Sequence, residues 1–131
     1  MSYIFLDTNA LIKLYIPEKG STWLKSFIVG KTICISELAL FESATTLARN
    51  YLEGNYTRNE VATIFTKLTQ DTLQYNVVSL SSDEQKDRVF EIATAFVSGA
   101  RVRTLDAIQL AAAQTQLEVA NNEIPPKALP L

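Results

Sequence analysis

Three carboxylates in this 131-residue chain have surroundings that account poorly for them. Asp7 ends the short apolar run Tyr3-Ile4-Phe5-Leu6, which reads as a buried strand, and the carboxyl ends of parallel strands are where ligands bind in open sheets. Glu42 lies mid-helix on a semi-apolar face, with Leu38 and Ala39 one turn before it and Thr45 and Thr46 one turn after. Asp106 opens a helix that is apolar almost all round, with Leu110, Ala113 and Leu117 following below it. Each has a structural alternative. Asp7 can cap the helix after it, Glu42 can pair with Arg49 two turns on, and Asp106 can rest on the helix dipole, worth about 0.3 to 1 kcal/mol. If the three instead converge at one rim of a sheet, they repel one another unless a cation neutralises them. Mg²⁺ or Mn²⁺ held by a few carboxylates and waters is the usual solution, and such an ion activates water for attack on a phosphodiester.

Other chemistries are excluded by what the chain lacks. There is no histidine, which removes Ser-His-acid and Cys-His mechanisms and the usual zinc ligands together. Four scattered glycines make neither a phosphate-cradling nor a dinucleotide-binding loop. A phosphotransferase or haloacid-type hydrolase using Asp7 as nucleophile wants a second Asp two residues on, where Asn9 stands. Cys34, the one cysteine, sits in Ile33-Cys34-Ile35 and reads as a core thiol. The net charge of −2 gives no bulk attraction for a polyanion, so a nucleic-acid role must rest on a local site. The length suits a single domain, residues 1–131. With no run long enough for a membrane span and no secretion signal at the start, a cytoplasmic protein is expected.

The elements that must position these acids follow from periodicity and capping. Strands are predicted at 3–6, 32–35 and 77–80. A short helix over Ala10 to Ile16 is stopped by Pro17, and Gly20-Ser21 reopens a helix whose stripe of Trp23, Leu24, Phe27 and Ile28 faces the core, with Trp23 buried. Ser36 caps a helix to Glu53 before Gly54, and Thr57-Arg58-Asn59-Glu60 is a capping box opening a helix to about Leu73. A second box, Ser81-Ser82-Asp83-Glu84, opens a helix to Gly99, and Thr104 caps the last helix, Leu105 to about Val119. Residues 120–131 read as an irregular tail. Alternating strands and helices predict an α/β fold with a mainly parallel sheet flanked by helices.

Four stretches together resemble the PIN domain of VapC-type toxin ribonucleases: Phe5-Leu6-Asp7-Thr8-Asn9-Ala10-Leu11-Ile12-Lys13-Leu14-Tyr15, Ile35-Ser36-Glu37-Leu38-Ala39-Leu40-Phe41-Glu42, Tyr75-Asn76-Val77-Val78-Ser79-Leu80 and Arg103-Thr104-Leu105-Asp106-Ala107-Ile108-Gln109-Leu110-Ala111-Ala112-Ala113. The likeness covers residues 3–119. It implies a Rossmann-like sheet and a metal site of Asp7, Glu42 and Asp106, with Thr8 orienting the first carboxylate or a metal-bound water and Asn9 supporting. It implies Mg²⁺- or Mn²⁺-dependent cleavage of RNA, an antitoxin protein as partner and a homodimer.

The resemblance also implies a further strand carrying a fourth acid in a Thr/Ser-x-Asp pattern beside the first strand. The sequence stops at Leu131, and neither Glu118 nor Glu123 matches that acid. The fold is therefore expected to lack its last strand, leaving an edge of strand one that invites an unusual dimer, a swapped tail or reduced solubility. The competing expectation is a catalytically weak or inactive module that binds an antitoxin-like protein or RNA without cutting. Lys13, Arg49, Arg101 and Arg103 are candidate phosphate contacts, with ordinary surface charge as their alternative.

Overall fold

The computed structural model describes residues 2–95 and 103–123. Strand β1 (Ser2–Leu6) pairs in parallel with β2 (Lys31–Ser36), in a register that sets Ser2 opposite Lys31 and Leu6 opposite Ile35. A short β3 (Asn76–Val78) completes a parallel sheet of order β1-β2-β3. Among the described residues β1 thus has a sheet neighbour on one side alone. Helices α1 (Thr8–Ile12) and α2 (Ser21–Phe27) connect β1 to β2. Helices α3 (Glu37–Leu52) and α4 (Arg58–Asp71), with a 3₁₀ turn at Thr72–Gln74, connect β2 to β3. Helices α5 (Asp83–Ala95) and α6 (Thr104–Glu123) follow. The predicted α/β class holds. The chain divides into two compact units at Val77 and Val78, described in turn.

In the first unit, four successive residues of β2, Ile33 to Ser36, are buried, as expected for a parallel strand covered on both faces. Leu6, Leu11, Leu24, Ile33, Ile35, Ala39 and Leu68 make the main core, and Ile12, Ile16, Leu47 and Val61 a second cluster beside it. Cys34 is a fully buried free thiol, as predicted, and burial pushes it up to about 11 despite a hydrogen bond with Asn76. Ser36 accepts from the Leu38 N–H at 3.1 Å, and Thr57 and Glu60 form the reciprocal box. Past the end of α3, Gly54 takes φ of 81°, a left-handed conformation that a side chain would oppose.

The structure corrects several expectations here. Helix α1 begins at Thr8 because Asp7 is its cap, and it gives way to turns after Ile12 rather than continuing to Ile16. Trp23 is not core: it is 64% exposed. Adjacent helix residues point about 100° apart, so α2 buries Ser21 and Leu24, with its C-cap Ile28 packed on the core, and leaves Trp23 and Phe27 stacked outside. Helix α4 ends at Asp71 and β3 at Val78, each about two residues short of the predicted ends.

In the second unit α5 packs on α6 through Ile92, Ala107 and Ala111, with Val89 against them. Arg88 pairs with Glu84 at 3.3 Å and with Glu118, and Gln85 donates to Thr115. The cap of α5 is Ser82, which accepts from the Gln85 N–H at 3.1 Å. The predicted box is therefore shifted by one, and Gln85 spends its side chain on α6 instead of reaching back. Thr104 is the first helical residue of α6 rather than its cap. This helix also runs to Glu123, so residues 120–123 are not part of an irregular tail. The predicted reach of α5 to Gly99 and the tail from Ile124 lie outside the described residues.

A polar network with no counterpart in the sequence reading joins α1's exit to α4. Tyr15 donates to Asp71 Oδ2 at 2.7 Å and receives the Tyr75 hydroxyl at 2.5 Å, while Lys67 donates to Asp71 Oδ1 at 2.8 Å. Burial and these bonds raise Tyr15, burial raises Tyr75, and for Asp71 the Lys67 and Tyr15 bonds outweigh burial and lower it. Raised tyrosines favour the folded state while protonated, a contribution present below about pH 10 and lost as pH rises past it. Tyr15→Phe, which removes two hydrogen bonds, is expected to cost about 1 to 2 kcal/mol. Urea unfolding should also show a shallower alkaline loss of stability in Tyr15→Phe than in the parent; equal alkaline slopes would contradict the network's role.

Candidate metal centre

Asp7 stands at the point where β1 ends and α1 begins. Its backbone is extended (φ −78°, ψ 177°), and its Oδ1 accepts the Ala10 N–H at 2.9 Å, so the capping role is real. That role uses one oxygen. Oδ2 has no hydrogen-bond partner among the described residues, and the side chain is exposed.

Thr8 is buried directly behind it, and its hydroxyl donates to Glu42 Oε1. Glu42, half-buried on α3, is therefore held by Thr8 and not by Arg49. The packing explains the meeting. Ile12 lies one turn beyond Thr8 and Leu47 just over one turn beyond Glu42, and both belong to the second core cluster, so α1 and α3 run side by side in the same sense. A half-buried carboxylate without a donor would be costly; the Thr8 hydroxyl supplies one. Next to Glu42, Ser43 is fully buried and its Oγ has no hydrogen-bond partner.

Asp106 belongs to the second unit. It lies exposed in the first turn of α6, where the helix dipole favours it. Leu110 and Leu117, on the turns below, are exposed as well. Among the described residues no three Asp, Glu or Cys side chains form a group able to hold a metal ion. On the first unit Asp7 and Glu42 each have one carboxylate oxygen engaged, by the Ala10 N–H and the Thr8 hydroxyl respectively. Two hard oxygen donors completed by water suit Mg²⁺, which is commonly bound through one or two carboxylates and a substrate's phosphates rather than by an all-protein cage.

The cationic candidates differ. Lys13 is engaged by Glu18 at 2.7 Å, which weakens its claim on a phosphate. Arg49 is exposed on α3, Arg103 is exposed at the start of α6, and Arg101 lies outside the described residues. Asn9 is exposed beside Asp7, and Glu37 is half-buried in the first turn of α3. A cavity of 440 Å³ opens elsewhere on the first unit, between Leu14, Ile28, Ile64, Lys25 and the Tyr15–Tyr75 pair. None of Asp7, Thr8 and Glu42 lines it. No local pattern announces the Tyr15, Asp71 and Tyr75 group there, because Tyr15 lies 56 and 60 residues from the other two.

No helix among the described residues is long and apolar enough to cross a membrane. No curated protein matches the sequence. The PIN domain family matches it over residues 4–118, spanning both units and all three candidate acids. PIN domains are typically metal-dependent nucleases, and they generally use divalent ions such as Mg²⁺. With most of its length so matched and a parallel sheet that delivers Asp7 from the end of its first strand, the chain belongs to the PIN domain family.

Proposed function

We propose that this chain is a divalent-metal-dependent endoribonuclease, the toxin of a type II toxin–antitoxin pair of the VapC kind. The observation that carries the reading is the Thr8–Glu42 bond, which links the residue after Asp7 to a second carboxylate 34 positions on. Asp7 and Glu42 would hold Mg²⁺ or Mn²⁺ through their other oxygens, and Asp106, from the fourth stretch of likeness, is assigned the third carboxylate. Bound there, the ion would lower the pKa of a water and offset charge on the phosphodiester. Thr8 fixes the direction of the Glu42 carboxylate, and the Ala10 N–H fixes that of Asp7. Both acids are thereby oriented before a substrate arrives. Asn9 offers an amide to the RNA, and Arg49, Arg101 and Arg103 would hold phosphates, with Lys13 joining only by leaving Glu18. An antitoxin protein and a second copy of the chain are the proposed partners.

A second reading, favoured by the lack of a three-acid group among the described residues, is a module that binds RNA or an antitoxin-like protein without cutting. Calorimetric titration with Mn²⁺ separates the two. Micromolar binding, weakened in Glu42→Gln and Asp106→Asn, is expected of the nuclease; no binding at millimolar metal would favour the module.

Asp7→Asn isolates chemistry from folding, because Asn caps a helix about as well as Asp while Asp7→Ala costs about 1 kcal/mol. Metal-dependent RNA cleavage by Asp7→Asn is expected to fall on the order of 100-fold or more, since even residues behind a metal's own donors cost 10- to 100-fold. Thermal melting of the same variant should stay near the parent's. Cleavage at the parental rate would remove the proposal.

A further inference from the structure

We propose that the exposed aromatic pair on α2 is a platform on which the bases of single-stranded RNA stack, a deepening that rests on the nuclease reading for its substrate class. The Trp23 and Phe27 rings lie 5.0 Å apart between centroids and 12° from parallel. Lys31 Nζ stands 4.2 Å from the Phe27 centroid, fixed by a 2.7 Å hydrogen bond to the Phe27 carbonyl. With Trp23 and Lys31 both over the Phe27 ring, the stacking face left to water is the outer face of Trp23, which is 64% exposed against 43% for Phe27. Such a surface marks a site of contact rather than a place in the fold, which Leu24 and Ile28 already serve.

Charge selects the occupant. The cation at the rings is Lys31, while Lys25 lines the cavity beside Tyr15, and from Lys19 to Lys31 the chain carries no Asp or Glu. Centres of protein–protein interfaces are depleted in lysine, whereas single-stranded nucleic acid is held by parallel rings and cations together: every base has a flat face to stack, and the phosphates between bases meet the ammonium groups. Lys31, opposite Ser2, sits at the rim of the sheet away from Asp7. Five residue rises of β2 separate Lys31 from Ser36, about 17 Å, so RNA reaching from the platform to the acidic end would span roughly five stacked nucleotides.

Trp23 is the only tryptophan, which makes its fluorescence a direct probe. The full chain is titrated in EDTA, where cleavage cannot occur, with a single-stranded oligoadenylate, a double-stranded RNA and inorganic polyphosphate. Quenching by the oligoadenylate and much weaker quenching by the other two are expected. Anisotropy of labelled oligoadenylate should show about tenfold weaker binding to Trp23→Ala and Phe27→Leu, restored in Trp23→Phe, and a salt dependence reduced by about one counterion in Lys31→Gln. Equal response to polyphosphate, unchanged affinity in Trp23→Ala, or a change of oligomeric state in that variant without loss of RNA affinity would overturn the proposal. Binding without metal is independent of Asp7, so failure here and failure of the nuclease reading are read separately.

Discussion

The bond from the Thr8 hydroxyl to the Glu42 carboxylate is the contact on which the candidate site depends. It joins the end of the first strand to the helix that follows the second, two pieces of chain that local sequence gives no reason to meet. Around it the packing is ordinary: α1 and α3 share the Ile12, Ile16 and Leu47 cluster, and β1 and β2 lie in register from Ser2 to Leu6. That packing sets the distance, and the hydroxyl then decides how the carboxylate is turned. Because Thr8 is buried and Asp7 exposed, adjacent residues divide the work. One is locked into the protein and orients, and the other, capped on a single oxygen, stays open to solvent.

Local rules explain why much of this architecture could be read from the chain. Ser36 and Thr57 announce their helices because a capping hydroxyl acts within three residues of itself, and Asp7 ends an apolar run whose shortness and branched and aromatic side chains favour a strand. Boundary shifts such as the start of α1 at Thr8 are local, while the larger failures come from contacts between residues distant in sequence. Trp23 fits a helical stripe as well as Leu24 does, and only packing against the distant Ile33 and Ile35 shows that Leu24 is the buried one. The box expected over Ser81–Glu84 gave way to a cap by Ser82, and Gln85 bonds Thr115, 30 residues away. Tyr15, Asp71 and Tyr75 carry no local signature, and neither does Glu42's preference for Thr8 over Arg49. For the site itself, position singled out Asp7 and an unexplained mid-helix charge singled out Glu42. Their linkage needed the fold.

The first unit thus presents two surfaces of different character. One is acidic, small and preorganised by hydrogen bonds to a hydroxyl and a backbone amide. The other is aromatic, with Lys31 over the Phe27 ring at the opposite rim of the same strands. Separation along the strands lets a weakly acidic chain carry a local cationic surface without neutralising its own carboxylates, since charges more than about 10 Å apart at the surface are largely screened.

The central claim, that Thr8 orients Glu42 for a cation shared with Asp7, is tested most directly by a double-mutant cycle of Thr8→Val and Glu42→Ala read as Mn²⁺ affinity. A coupling of about 1 kcal/mol or more is predicted, because once Glu42 is gone the hydroxyl has no carboxylate to hold. Effects that add to within about 0.3 kcal/mol would show the two residues acting independently and contradict the account.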